Sequence, residues 1–129
     1  FQLKSYRKNL LDAVPEEGPG TFAELLKDSD SKVLRDTLML LTKDDTESGR
    51  IDVGFTVIYP GCNTKGHSHS PKEEIYFVTW GKGIMVIDEE EFEIQKGDVV
   101  YVPFGKFHRT INSSPLPLSY VWITVDKEG

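Results

Sequence analysis

From Val33 to Val125 the chain is a succession of short β-rich runs, each ended by residues that tolerate turn geometry, and this texture admits little besides an all-β sandwich or barrel. The runs are Val33 to Leu41, Ile51 to Tyr59, Glu74 to Trp80, Ile84 to Ile87, Phe92 to Ile94, Val99 to Val102, Phe107 to Ile111 and Leu118 to Val125. Between them lie Asp44 to Gly49, Pro60-Gly61, Gly81-Lys82-Gly83, Asp88 to Glu91, Gly97-Asp98 and Asn112 to Pro117. About eight strands in 129 residues, one domain's worth of chain, predict a jelly roll. One short N-terminal helix is expected: Thr21 stands three residues before Glu24, with Phe22, Leu25 and Leu26 apolar, a capping-box pattern running to about Lys27. Residues 1–20 end in the breaker-rich stretch Pro15 to Gly20 and read as an irregular edge segment, leaving 21–129 as the single folded domain.

Charge narrows the partners. A net charge of −6 and no long run of Lys or Arg argue against a nucleic acid or an anionic membrane, either of which needs a basic face. The acidic run Asp88 to Glu91 sits at an expected hairpin tip and reads as a solvated turn. A single cysteine, Cys62, excludes an intrachain disulfide framework and fits a reducing compartment, so the cytoplasm is expected. No apolar run approaches the length of a membrane span, and the start, FQLKSYRKNLL, lacks the apolar core of a secretory leader.

Two segments carry the chemistry. The first, Gly61 to Gly81, contains His67, His69 and Glu74; the second, Gly97 to Asn112, contains His108, so all three histidines of the chain are used. Strand side chains alternate faces, so His67 and His69 project to one side and can chelate one ion, with Glu74 returning on the next strand as a third ligand. Three imidazoles and a carboxylate suit iron, manganese, zinc, nickel or copper, and the donor set does not separate them. Four protein ligands around an ion that prefers six leave places for water or substrate, the condition for Lewis-acid catalysis. The alternative is that the histidines are satisfied in a core without metal. Tyr76 shares the face of Glu74 and is either a barrel-filling aromatic or a phenol that touches substrate. Glu73 points the other way, towards solvent, Cys62 reads as a plain small residue, and Asn112 as a hydrogen-bonding cap.

The two segments read G-x5-H-x-H-x4-E-x6-G and G-x5-P-x-G-x2-H-x3-N, and with every fixed position present the chain resembles the cupins over Gly61 to Asn112. That resemblance implies a jelly-roll barrel with one divalent metal ion (Fe, Mn, Zn or Ni) held by His67, His69, Glu74 and His108. Within the cupins the chain is most similar to the archaeal cupin-type glucose-6-phosphate isomerases, on Thr56-Val-Ile-Tyr-Pro-Gly61, Thr64-Lys-Gly-His67-Ser-His69, Glu74-Ile-Tyr76, Gly81-Lys-Gly83, Val99-Val-Tyr-Val-Pro103 and His108-Arg-Thr-Ile-Asn112. It departs from them in a shorter loop between Gly61 and His67, a shorter stretch from His69 to Glu74, and near Arg35, where a sugar-site tyrosine is replaced.

The likeness implies that Thr56, Thr64 and Gly66 hold a substrate phosphate, that Tyr76 lines the sugar site, and that Glu74 is both ligand and proton carrier between C1 and C2. Glu74 and Tyr76 are thus the expected catalytic residues. Lys65 and Arg109 either assist with charge or are solvated rim residues. The leading expectation is a metal-dependent isomerase or epimerase of a sugar or sugar phosphate. The alternatives are a non-haem iron-type dioxygenase of a small metabolite and a non-catalytic sugar or metabolite sensor. Small cupins commonly pair through edge strands and barrel faces, so a homodimer is expected, and an uncovered edge strand favours pairing in any case.

Overall fold

The computed structural model describes residues 6–21, 24, 34–64, 66–68 and 71–128, with 67 and 68 described by their backbone. Ten strands follow one another: β1 (Val14–Pro15), β2 (Arg35–Leu41), β3 (Ile51–Ile58), β4 (His67–Ser68), β5 (Lys72–Trp80), β6 (Lys82–Ile87), β7 (Glu90–Gln95), β8 (Val99–Val102), β9 (Phe107–Ile111) and β10 (Leu118–Asp126). They form a six-stranded sheet in the order β1-β2-β3-β10-β5-β8 and a four-stranded sheet in the order β4-β9-β6-β7, every pair antiparallel. Two one-turn 3-10 helices, Leu10–Asp12 and Lys43–Asp45, complete the regular structure among the described residues. The expected Thr21 to Lys27 helix lies outside the described residues apart from Glu24, which is helical, and Thr21, whose hydroxyl donates to the Gly18 carbonyl at 2.7 Å.

All eight expected strands are present. Two expected turns are tighter than the sequence suggested. Gly83 lies inside β6, paired with Ile94, and not in a turn; it is glycine because the Ile111 carbonyl and the Leu118 side chain pack where a side chain would stand. The hairpin between β6 and β7 is closed by Asp88 and Glu89 alone, Glu90 and Glu91 already being paired with Ile87 and Val86. Asp88 accepts the required left-handed backbone, φ 50°, and its carboxylate takes the Phe107 N–H at 3.0 Å, tying the turn to β9.

Cross-strand register sorts the interior into layers. Ile58 faces Leu118 at one end of the six-stranded sheet, and with Val78, Met85 and Ile94 they plug that end of the barrel. Towards the other end the inward residues turn polar: Thr56 opposite Tyr120, then Gly54 opposite Trp122 and Trp122 opposite Tyr76, then Asp52 and Glu74 flanking Thr124. His108 occupies the matching end of the four-stranded sheet, opposite Ile87 and opposite the backbone of His67. One end is therefore an apolar core and the other a lined hollow. Gly54 makes room for the hollow's wall, since a Cβ there would collide with the Trp122 indole.

The outer face of the six-stranded sheet is also apolar. Leu38, Phe55, Val121, Phe77 and Val99 run across five strands in one row, and Val53, Ile123, Ile75 and Tyr101 in the next. Ile75, Phe77, Val99 and Tyr101 are 38, 46, 64 and 52% exposed.

Candidate functional site

The hollow is a cavity of about 790 Å³ that reaches from the Glu74 and His108 side of the barrel across the inner sheet face to β2 and the N-terminal segment. Thr56, Thr64, Gly66, Glu74, Tyr76 and His108 all line it. His67 is placed by its backbone opposite His108, while His69 and Lys65 lie outside the described residues.

Glu74 and His108 are both buried, and Oε2 of the carboxylate meets Nε2 of the imidazole in a close contact. Nδ1 of His108 lies 3.1 Å from the Lys106 carbonyl. A carbonyl oxygen accepts only, so Nδ1 carries the proton of the neutral ring and Nε2 is the nitrogen presented to Glu74. Burial, the largest influence, pulls the His108 pKa down, but the hydrogen bond to Glu74, the Lys106 carbonyl and the Glu74 charge carry it above the ordinary histidine value. A carboxylate oxygen and an imidazole nitrogen side by side, the ring fixed from behind by a carbonyl, are donors of the kind a divalent cation takes, and among the described residues no third His, Cys, Asp or Glu joins them in one cluster.

Tyr76 stacks obliquely beside His108, ring centroids 6.0 Å apart, and edge-on to Tyr120 at 5.0 Å. Burial first, then Tyr120, then the charge and hydrogen bond of Glu74, hold its phenol well above the usual tyrosine pKa. At neutral pH Tyr76 is thus a hydrogen-bond donor and not a base.

Thr64 pairs with Thr110 twice: its N–H reaches the Thr110 carbonyl at 2.9 Å, and its hydroxyl oxygen accepts the Thr110 N–H at 2.9 Å. The Thr64 hydroxyl hydrogen stays available to the cavity. Gly66 sits at φ +82°, and a Cβ there would run into the Phe107 ring, so packing and backbone angle both demand glycine. Glu73 stands on the outer face, accepting from the Tyr101 hydroxyl at 3.0 Å.

Several lining residues were not singled out from sequence. Thr124 projects into the cavity between Asp52 and Glu74, and its buried hydroxyl has no hydrogen-bond partner among the described residues. Further across the same sheet, Arg35, Thr37 and Trp122 join the expected Thr56 in one hydrogen-bonded chain. Threonines on β-strands carry no sequence mark of function, and only register shows where they point.

A family model described as the cupin domain matches residues 54–124. Among curated proteins, the chain is 32% identical over 116 residues to a glucose-6-phosphate isomerase of Pyrococcus abyssi, covering 80% of this chain and 60% of that protein. It is 39% identical over 62 residues to an uncharacterised protein of Methanocaldococcus jannaschii, covering 48% of this chain and 50% of the other. The chain thus spans about half to three fifths of the length of such relatives. Among solved structures, a predicted oxalate decarboxylase from Thermotoga maritima superposes with a TM-score of 0.77 at 19% identity, over 94% of this chain and 99% of that one, a likeness of fold.

Proposed function

This chain belongs to the cupin domain family, and from that premise we propose that it is a metal-dependent isomerase or epimerase of a sugar or sugar phosphate. The observation that carries the reading is the meeting of buried Glu74 and His108 at a cavity wall beside a phenol that stays protonated. The likeness to proteins named glucose-6-phosphate isomerase supports the substrate class.

His67, His69, Glu74 and His108 would hold one divalent ion (Fe, Mn, Zn or Ni), whose contribution is Lewis-acid polarisation of a substrate carbonyl, which acidifies the adjacent C–H. Glu74 takes the proton from C2 and returns it to C1 while the hydroxyl proton on O2 passes to O1, so the carbonyl moves from C1 to C2 and the carboxylate ends as it began. Tyr76 donates a hydrogen bond to a substrate oxygen. The hydroxyls of Thr56 and Thr64 and the backbone at Gly66 hold the end of the substrate away from the reacting carbons. The apolar plug of Ile58, Leu118, Met85 and Ile94 keeps water from entering behind them.

The exposed outer face of the six-stranded sheet supports a homodimer. No helix of the described residues is long and apolar enough to cross a membrane. The thiol of Cys62, in no disulfide, supports a reducing, cytoplasmic setting. Elemental analysis of the protein purified without added metal, followed by anaerobic turnover of fructose 6-phosphate with manganese or iron, tests the reading. Turnover without oxygen is expected; a fully metallated protein that converts none sinks the glucose-6-phosphate assignment.

A further inference from the structure

The inner face of the six-stranded sheet is banded. The level of Thr37 and Thr56 carries hydroxyls, and the level of Asp52, Thr124 and Glu74 carries a hydroxyl between two carboxylates. Between them runs an apolar level, on which Met39 and Trp122 flank Gly54 as its partners on either side. Both flanking side chains line the cavity.

Trp122 is the broad surface of that band. A Cβ on Gly54 would collide with Cζ2, Cε2 and Cη2 of the indole, so the six-membered ring lies over the glycine backbone. Its Nε1–H donates to the Thr56 hydroxyl at 2.9 Å, one level further along β3. The two contacts lay the ring across β3 and fix its orientation. Indole has a single donor, and Thr56 takes it, so what Trp122 offers the cavity is an apolar π face with no hydrogen bond to give.

The next level is not satisfied. Thr124, two residues and therefore about 7 Å further along β10, is 5% exposed, and its hydroxyl has no hydrogen-bond partner among the described residues. A fixed, donor-free apolar face edged by a hydroxyl in want of a partner is the complement of a pyranose ring, which carries C–H groups on its faces and hydroxyls around its rim.

We propose that Trp122 is the stacking platform for the ring of the sugar substrate and decides which epimers are accepted, the ring lying face-on over the indole with a rim hydroxyl at Thr124. The inference rests on the sugar reading above and deepens it to substrates bound as rings with an unbroken C–H face. An axial hydroxyl on that face would be pressed onto the indole without a partner, which costs affinity.

The 1,5-anhydro forms of glucose, galactose and allose 6-phosphates stay cyclic and cannot turn over, and calorimetric titration of the metal-loaded protein with each tests the platform. In a gluco-configured ring the axial hydrogens of C3 and C4 stand on opposite faces. The allo epimer replaces the first with a hydroxyl and the galacto epimer the second. The wild type is expected to bind the gluco form and to bind about ten- to hundredfold more weakly the epimer whose hydroxyl meets the indole. Trp122→Leu should lose about tenfold for the gluco form together with that preference, while Trp122→Phe, which keeps an aromatic face, should retain the preference. Of the two tryptophans in the chain, Trp80→Phe leaves only Trp122, whose emission should then shift and saturate at the calorimetric dissociation constant; this carries the test if Trp122→Leu does not fold. Equal affinity for the three rings, a preference that survives Trp122→Leu, or ring binding that leaves the emission unchanged overturns the platform. If rings bind at Trp122 yet fructose 6-phosphate is not converted, the platform stands and the isomerase reading falls. If fructose 6-phosphate is converted and no ring-locked form binds, the platform falls alone; with neither, both fall.

Discussion

Oε2 of Glu74 is turned onto Nε2 of His108, two polar groups buried side by side where β5 and β9 bring the two sheets together. Without a cation the two atoms are in contact with each other. With one, both atoms are lone-pair donors aimed at the same place. Glu74→Gln and His108→Ala are each expected to remove most of the bound metal, read by elemental analysis of the purified proteins. Added manganese should raise the melting temperature of the wild type and not of the variants; metal present at about 100 times its dissociation constant contributes about 2.7 kcal/mol of stability. Full metal retention in both variants would overturn the site.

Asn112 is wholly buried and uses both polar atoms of its side chain. Nδ2 donates to the Ile58 and Leu116 carbonyls at 3.0 and 2.8 Å, while Oδ1 accepts from the N–H and hydroxyl of Ser114 at 3.1 and 2.8 Å. It fastens the turn before β10 to the end of β3. Asn112→Ala leaves carbonyls and donors without partners and is expected to cost about 2–4 kcal/mol. A lower urea midpoint at unchanged m-value checks it.

How legible this was in the sequence differs from residue to residue. In β5 the alternation is plain for Glu74, Tyr76 and Val78, which point inward, and spacing alone separated Glu74 from Glu73. The same strand is apolar outside as well, at Ile75 and Phe77, so hydrophobicity did not announce which face was the core. Val14–Pro15 is a strand because β2 offers it an edge, and two residues ending in proline carry no strand pattern. Gly83 resembled a turn residue until its packing against Ile111 and Leu118 was known. Least legible was the chain from Arg35 through Thr37 and Thr56 to Trp122. It joins β2, β3 and β10 across residues far apart in sequence, and such networks exist only once register is fixed.

Asp88 gives an acid-side prediction. Its carboxyl pKa is held below the ordinary 3.8, first by the hydrogen bond to the Lys106 ammonium, 3.1 Å away, against the opposing effect of desolvation, and further by the Phe107 N–H. A depressed folded-state pKa contributes stability above the unfolded-state value that is lost as pH falls through the folded-state value. The wild type should therefore lose this contribution below about pH 4. Asp88→Asn keeps an amide oxygen for Phe107 and tolerates the left-handed backbone but has no charge to titrate. Its melting temperature should lie below the wild type's at pH 7 and converge on it towards pH 2. A constant gap across that range would show that the carboxylate charge adds nothing.

The outer rows of the six-stranded sheet set the assembly prediction. Phe77 lies between Val121 and Val99, and Ile75 between Ile123 and Tyr101, so the exposed apolar residues of these rows are contiguous and reach the edge strand β8. A second copy turned by a two-fold axis presents the same rows, and the contact closes on itself. Burying a large apolar side chain contributes about 1.5–3 kcal/mol, so placing a charge at one of these positions forfeits that and adds the cost of desolvating the charge. Phe77→Lys and Val99→Glu are each expected to weaken the dimer at least a hundredfold while leaving the barrel folded, since both side chains point away from Val78 and Val100. Light scattering behind a sizing column reads the mass, and circular dichroism with thermal melting checks the fold. A wild type that stays monomeric at ~100 μM, or variants that dimerise as tightly as it does, would exclude this face as the interface.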